Sequence, residues 1–115
     1  MKVCIIGNNL VSLTLAKALL NKGLSVDIYY KKSNKIYDQT RTIGISKSNV
    51  EYFNNHVINI DKISWDIKKI QIYTENFNRN EILNFSNSNK KIFSILKNYQ
   101  LQKLKNKSLK NEKNF

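Results

Sequence analysis

The first 30 residues alternate apolar runs with polar breaks in an order that predicts strand, helix and strand. Residues 2–6 form a short apolar run that ends at Gly7, which is typical of a buried strand. Apolar and small side chains recur at helical spacing over residues 10–22, and Gly23 is suited to end this helix because glycine reaches the left-handed region easily. Residues 25–30 form a second apolar run. This order predicts a βαβ unit with parallel strands and a right-handed crossover.

The middle of the chain has a weaker pattern. Residues 31–40 are polar and predict a loop, whereas residues 42–46 fit either a short strand or a turn. Residues 47–57 have helical periodicity, and either Ser46 or Ser48 is suited to cap that helix.

The last third of the chain predicts a hairpin and a final helix. Residues 67–74 include alternating apolar positions, and residues 81–86 could pair with them across the polar segment between. A short apolar run at residues 92–96 precedes a predicted helix over residues 98–109. The inward positions of that helix are Leu101, Leu104 and Leu109.

The strong positive charge has two competing explanations. The chain carries a net charge of +12, which usually indicates a nucleic acid or an anionic membrane as partner. However, Lys, Asn and Ile together make up 51 of the 115 residues, and their codons are rich in A and T. An AT-rich genome would produce this composition without selection for a partner. We therefore favour the compositional explanation and do not favour nucleic acid as a partner.

Cysteine and histidine are too few for several kinds of site. One Cys and one His exclude an intrachain disulfide and a Cys/His metal cage, so no metal site is predicted. His56 lies in a polar segment and is interpreted as a solvated side chain, while Cys4 is predicted to be a small buried residue of the first strand. No apolar run approaches the ~20 residues needed to span a bilayer, and we expect a cytoplasmic protein.

The turn between the first strand and the helix is the one motif that indicates chemistry. Glycine-rich turns at this point cradle a pyrophosphate against the helix N-terminus, with the fingerprint G-x-G-x-x-G. Here the sequence is G-N-N-L-V-S, so Gly7 is retained while Asn9 and Ser12 replace the second and third glycines. Tyr30 stands where an acidic residue usually binds the ribose hydroxyls. The motif is therefore compatible with dinucleotide binding or with a βαβ unit that has lost its ligand.

Four segments resemble one family in the family's own order. The segment CIIGNNLVSLTLAKALLNKGLSVDIYY resembles the opening of flavoprotein monooxygenases of the para-hydroxybenzoate hydroxylase type. The segment YDQTRTIGISKSNVEYFNNHVI resembles the D-x-R-x-x-A-L-S region of the hydroxylases of ubiquinone biosynthesis. The segments IKKIQIYTENFNRNEILNFS and FSILKNYQLQKL resemble their strand pair and their E-N-R helix entry. Together these similarities extend over residues 3–104.

The resemblance implies a set of FAD-binding residues in this chain and no catalytic residue. The residues expected at the FAD pyrophosphate are Gly7, Asn9, Leu10 and Val11. Those expected at the adenosine ribose are Tyr30 and Lys31. Arg41 matches the family arginine near the phosphate and ribityl groups, and Asn98 matches the asparagine of E-N-R.

The resemblance also implies a fold class and a function. We expect an α/β fold with a Rossmann-like βαβ start, an added β-hairpin and further helices, forming an incomplete FAD-binding domain over residues 1–106 with a polar basic tail at 107–115. Family members are several times longer, so we expect an N-terminal fragment that is inactive alone. The resemblance implies that the full family uses FAD and NAD(P)H to hydroxylate aromatic substrates such as prenylated phenols. For this chain we expect a cytoplasmic location, with peripheral association at the membrane surface as the alternative. The alternatives are a non-catalytic relic and a small basic nucleic-acid-binding protein.

Overall fold

The computed structural model describes residues 1–32, 38–75, 81–86 and 90–112, and these ranges contain strands, helices and one 3₁₀ turn. The strands are β1 (Lys2–Ile6), β2 (Ser25–Tyr29), β3 (Thr42–Ser46), β4 (Ser64–Ile67), β5 (Lys69–Tyr73), β6 (Glu81–Ser86) and β7 (Phe93–Lys97). The helices are α1 (Leu10–Asn21), α2 (Lys47–His56) and α3 (Asn98–Lys110), and the 3₁₀ turn is Asp61–Ile63. The chain is therefore a mixed α/β protein, as predicted.

The βαβ unit predicted at the start of the chain is confirmed. Strands β1 and β2 pair in parallel, with Val3 opposite Val26 and Ile5 opposite Ile28. Helix α1 connects them and ends before Gly23, which has a φ of +79°. A non-glycine residue is strained in that region, so glycine is suited to the turn into β2.

One face of this two-stranded sheet is covered by helices α1 and α3. The first hydrophobic core contains side chains from both strands and both helices: Ile5, Leu13, Ala16, Leu20, Val26 and Leu109. The opposite face of the sheet is open, and Cys4 is exposed there. The prediction that Cys4 is buried was wrong, because β1 alternates between a covered and an uncovered face.

A three-stranded antiparallel sheet in the order β3–β7–β4 forms the second layer. Residues 42–46 are thus a strand, and the apolar run near residues 92–96 is the central strand of this sheet. Helix α2 begins as predicted, with the Ser46 side chain accepting a hydrogen bond from the Asn49 amide at 3.3 Å. The second hydrophobic core lies between this sheet, α2 and α3 and contains Ile45, Val50, Ile60, Leu96 and Leu101.

Strands β5 and β6 form the predicted antiparallel hairpin. Ile70 lies opposite Phe85 and Ile72 opposite Leu83, so these four apolar side chains share one face. Every residue of β6 is exposed, including Leu83 at 49% and Phe85 at 50%. Most of the segment expected to turn between the strands, residues 76–80, lies outside the described residues, as do residues 33–37 of the predicted loop.

Helix α3 joins the two cores. Leu101 packs in the second core and Leu109 in the first, each with 1% of its surface exposed. The predicted boundary between residues 106 and 107 falls inside this helix, and Glu112 beyond it forms an ion pair with the largely buried Lys17 of α1. Within the described ranges, no helix is both long enough and apolar enough to cross a membrane.

Candidate functional site

The turn that follows β1 requires glycine at its first position. Gly7 has a φ of +117°, and its amide donates a 2.8 Å hydrogen bond to the Tyr29 carbonyl at the end of β2. A Cβ atom on this residue would lie 3.2 Å from the Ser12 Oγ atom of α1. The backbone conformation and the close approach of α1 both favour glycine here.

Asn9 caps helix α1. Its backbone is extended, with a φ of −93°, and its Oδ1 atom accepts a 2.9 Å hydrogen bond from the Ser12 amide. The side chain that replaces the second glycine of the fingerprint therefore occupies one donor at the helix N-terminus. The first turn of α1 contains no acidic residue, so the partial positive charge of the helix end has no carboxylate of its own beside it.

A cleft of about 650 Å³ lies at the carboxyl ends of β1 and β2. One wall is the turn from Gly7 to Asn9, and a second wall is the segment Tyr29–Lys32 that follows β2. Asn106 and Lys110 of α3 complete the cleft. In open α/β sheets, ligands bind outside the carboxyl ends of the strands, which is the place this cleft occupies.

Most of the residues proposed for FAD binding come together in this cleft, but not all. Gly7, Asn9, Tyr30 and Lys31 line it. Leu10 instead packs, half-buried, against the second core, and Val11 is 75% exposed at the start of α1.

Arg41 does not line the cleft and is exposed just before β3. Its carbonyl accepts a 3.0 Å hydrogen bond from the Asn98 amide at the start of α3. Near it, hydrogen bonds from the Thr40 side chain and amide lower the pKa of Asp38, with a smaller contribution from the Arg41 charge.

Sequence reasoning missed Lys32, Asn106 and Lys110. The two α3 residues are four positions apart and therefore share a helix face, but only the packing of α3 on α1 brings that face to the cleft. The Gln102 side chain reinforces this placement, since its amide donates a 3.3 Å hydrogen bond to the Asn8 carbonyl in the turn. A second cleft of about 510 Å³ on α3 adjoins the first and shares Asn106 and Lys110 with it.

The buried Lys105 of α3 forms hydrogen bonds with residues at the start of α1. Lys105 has no exposed surface, and its ammonium donates to the Leu10 carbonyl at 3.2 Å and to the Thr14 hydroxyl. The same ammonium lies 5.1 Å from the centre of the Phe53 ring. Burial disfavours the charged form and lowers the pKa of Lys105 to about 8.

The side chain of Asn98, at the start of α3, has a buried polar atom. Its Oδ1 atom is buried and accepts no hydrogen bond from the part of the chain that the structure describes. Such an acceptor is unusual in a folded protein and is suited to a donor from a ligand or water. In the same described ranges, no group of three or more His, Cys, Asp or Glu side chains could hold a metal ion.

Comparison with known proteins finds similarity in structure only. No protein-family model matches the chain, and no curated protein matches it in sequence. Among solved structures, 2,6-dihydroxypyridine-3-hydroxylase from Arthrobacter nicotinovorans matches 99% of the chain with a TM-score of 0.67 and 15% identity. Klebsiella pneumoniae HpxO, solved with FAD and uric acid, matches 95% of it with a TM-score of 0.74 and 17% identity.

A third structure, from Photorhabdus luminescens subsp. laumondii, is assigned as an FAD-containing monooxygenase. It matches 97% of the chain with a TM-score of 0.72 and 19% identity. The chain spans 28–29% of the length of these three proteins. At these identities the likeness shows the fold, and the chain has the fold of part of these hydroxylase and FAD-containing monooxygenase structures.

Proposed function

We propose that this chain is the adenine-nucleotide-binding part of an FAD-dependent aromatic-ring monooxygenase. The observation that carries the proposal is the cleft at the carboxyl ends of β1 and β2, bounded by the Gly7 turn and the N-terminus of α1. The shared fold supports the assignment to FAD, because the matching structures include HpxO solved with FAD.

The residues of the cleft fit the adenosine diphosphate half of FAD. Gly7 has no side chain where the turn approaches α1 most closely, and none of the described residues that line the cleft is a carboxylate that would repel a pyrophosphate. Gly7 and Asn9 would hold the pyrophosphate with the first turn of α1, where Leu10 and Val11 lie. The exposed ring of Tyr30 and the ammonium of Lys31 would contact the adenosine.

Arg41 and Asn98 extend the proposed site toward the flavin. The backbone hydrogen bond between them places both at the junction of β3 and α3. The unpartnered Oδ1 atom of Asn98 is an acceptor suited to a hydroxyl of the ribityl chain. A reduced flavin, when bound, supplies the reaction with oxygen that hydroxylates an aromatic ring.

We further propose the ubiquinone pathway as the source of the substrate, with a prenylated phenol as the ring and NAD(P)H as the reductant. The resemblance of the segment from Tyr37 to Ile58 supports this assignment. A prenylated substrate also favours association with a membrane surface. We also propose that the isolated chain is inactive, because it spans only 28–29% of the length of the matching hydroxylase and monooxygenase structures.

Titration with FAD tests the proposal. The purified chain should quench flavin fluorescence and bind ADP in competition with FAD. The variant Arg41→Lys should weaken FAD binding more than ADP binding, because a guanidinium can hold two oxygens at once and an ammonium cannot. Lys47→Ala, at an exposed position in α2, is the matched control and should leave both affinities unchanged.

Two results would count against the proposal. Failure of both FAD and ADP to bind would favour a βαβ relic without a ligand. A hydroxylated product from the isolated chain, given FAD, NAD(P)H and a prenylated phenol, would overturn the proposal that it is inactive alone.

A further inference from the structure

Helix α3 places a charged side chain beside the first turn of α1. Lys105 has no exposed surface, and its ammonium donates to the Leu10 carbonyl at 3.2 Å and to the Thr14 hydroxyl. That hydroxyl donates a 2.6 Å hydrogen bond to the same carbonyl. The ammonium also lies 5.1 Å from the centre of the Phe53 ring in α2. The charge of Lys105 is therefore enclosed between three helices.

This buried charge has no counter-charge. Buried ammonium groups are normally paired with a carboxylate, because an unpaired charge is costly away from water. In the part of the chain that the structure describes, Lys105 forms no ion pair, and burial alone lowers its pKa to about 8. By contrast, the largely buried Lys17 of α1 pairs with Glu112.

The elements around Lys105 offer no free carboxylate. Helix α3 and strand β7 carry lysine as their only charged residue type, and α1 carries only Lys17. On α2 the single acid, Glu51, is exposed and lies 4.0 Å from Lys47. The other titratable groups of α2 are exposed and contact each other, namely Tyr52 and His56. The described residues therefore leave the charge of Lys105 unbalanced.

An anion at the N-terminus of α1 would supply the missing negative charge. The Leu10 carbonyl belongs to the same planar peptide unit as the Val11 amide. That amide is one of the donors at the helix end that have no partner within the helix. The helix end is itself partially positive, and its first turn contains no acidic residue. A phosphate bound there would be attracted both by the helix end and by the ammonium behind it.

We propose that Lys105 is a positioning residue of the nucleotide site, whose buried positive charge strengthens phosphate binding at the N-terminus of α1 without contacting the ligand. The inference rests on the proposed function, which places a pyrophosphate at this helix end. Binding and protonation are linked, so the charge of Lys105 favours binding by the same factor by which the bound pyrophosphate favours that charge. Loss of the proton at higher pH should therefore weaken binding, although it stabilises the fold by removing a buried charge. A lysine that only packed α3 against α1 would not produce these opposite trends.

Calorimetric titration of the full chain with FAD at pH 7 and pH 9 tests the inference. The pyrophosphate of FAD keeps its charge over this range. If bound FAD raises the pKa of Lys105 by about one unit, the affinity should fall about fivefold from pH 7 to pH 9. At pH 8.5 binding should take up about half a proton, which titrations in buffers of different ionisation enthalpy measure. Adenosine, which has no phosphate, is the uncharged control ligand and should bind equally at both pH values.

Three variants identify the titrating group. Lys105→Met should bind FAD about tenfold more weakly at pH 7 and should lose both the pH dependence and the proton uptake. Lys105→Arg stays charged at both pH values, so it should retain the affinity and lose the pH dependence. Lys17→Met is the matched control, because this buried lysine has its own carboxylate, and it should behave like the unmodified chain.

The outcomes separate this inference from the proposed function. Equal FAD affinity at both pH values, without proton uptake, would overturn the inference and leave the proposed function in place. The same fivefold fall in Lys105→Met would assign the effect to another group and would also overturn the inference. If neither variant of Lys105 folds, proton uptake by the unmodified chain and by Lys17→Met supports the inference, and its absence overturns it. Absence of FAD binding at either pH would overturn both proposals.

Discussion

The strand pairs of the βαβ unit and of the β5–β6 hairpin each place apolar side chains on a shared face, but the two faces differ in how they are covered. In the βαβ unit, Leu13 and Ala16 of α1 are 2% and 0% exposed against the sheet. In the hairpin, Ile72, Leu83 and Phe85 remain 43–50% exposed on a shared face. Alternation thus determines which side chains share a face, whereas burial depends on an element packing against that face.

The difference has a consequence for stability. A two-stranded hairpin without a covering layer is only marginally stable in water. The βαβ unit is held by α1 and α3 as well as by its strands, so its apolar surface contributes to folding. We therefore expect equivalent truncations to have very different effects in the two regions.

The largest expected effect is a truncation in the first core. Leu13→Ala removes a side chain that is 2% exposed and should lower the free energy of unfolding by about 3 kcal/mol, through lost burial and the cavity left behind. Phe85→Ala, in the hairpin, removes more atoms but should cost less than about 1 kcal/mol, since the ring is half exposed. Urea denaturation followed by circular dichroism measures both. Equal losses would show that the hairpin face is buried in solution.

The next effect concerns pH and the lysine that fastens α3 to α1. Burial lowers the pKa of Lys105 to about 8 in the folded protein, while an unfolded lysine titrates near 10.5. Between these values the unfolded chain binds more protons, so stability should rise as the pH increases from about 8 to 10. The free energy of unfolding should increase by on the order of 2 kcal/mol, because the buried Lys105 side chain is neutral in the folded protein at the higher pH.

A variant isolates the contribution of Lys105 from that of the other titrating groups. Lys105→Met keeps most of the volume and removes the charge, so its stability should change less with pH over the same range. Chemical denaturation of both proteins at several pH values provides the comparison. Parallel profiles for the two proteins would show that Lys105 is not the group responsible.

Sequence patterns were sufficient where neighbouring residues determine the structure. The βαβ unit, the Ser46 cap of α2 and the pairing of β5 with β6 all depend on contacts within a few tens of residues. The central position of β7 was not predicted, because a short apolar run does not reveal its partners. Strand β4 was missed because Ser64–Ile67 alternates over only four residues, and its partner β7 is distant in sequence.

The candidate site shows the same division. Gly7, Asn9, Tyr30 and Lys31 could be proposed from the fingerprint and the resemblance, because the strand and turn order brings them together. Lys110 could not, since it is about a hundred residues from Gly7 and reaches the cleft only through the packing of α3 on α1. Packing between elements that are distant in sequence therefore adds the positive charge of Lys110 to the cleft.

The third expected effect concerns Gly7, in the turn between β1 and α1 that lines the cleft. Gly7→Ala places a Cβ atom 3.2 Å from the Ser12 Oγ atom at a φ of +117°. The strain should lower the free energy of unfolding by about 1–2 kcal/mol and weaken nucleotide binding. Gly44→Ala is the control, because that glycine has no positive φ and an added Cβ would make only ordinary contacts at 3.5 Å. Similar losses in both variants would contradict a special role for the Gly7 conformation.

The smallest effect on stability, but a direct one on binding, is expected at Asn9. Its side chain caps α1 by accepting a hydrogen bond from the Ser12 backbone amide. Asn9→Gly therefore frees that donor and removes the Asn9 carboxamide from the cleft. Glycine is itself tolerated as a cap, and the cost in stability should be a few tenths of a kcal/mol. Because the freed amide points at the end of α1 where a phosphate would lie, FAD and ADP should both bind more tightly.

Asn9→Ala frees the same donor but loses about 1 kcal/mol of capping, and it separates the two effects. If Asn9→Gly binds ADP no better than the unmodified chain, the Ser12 amide is not part of the phosphate site, and the pyrophosphate must lie elsewhere in the cleft.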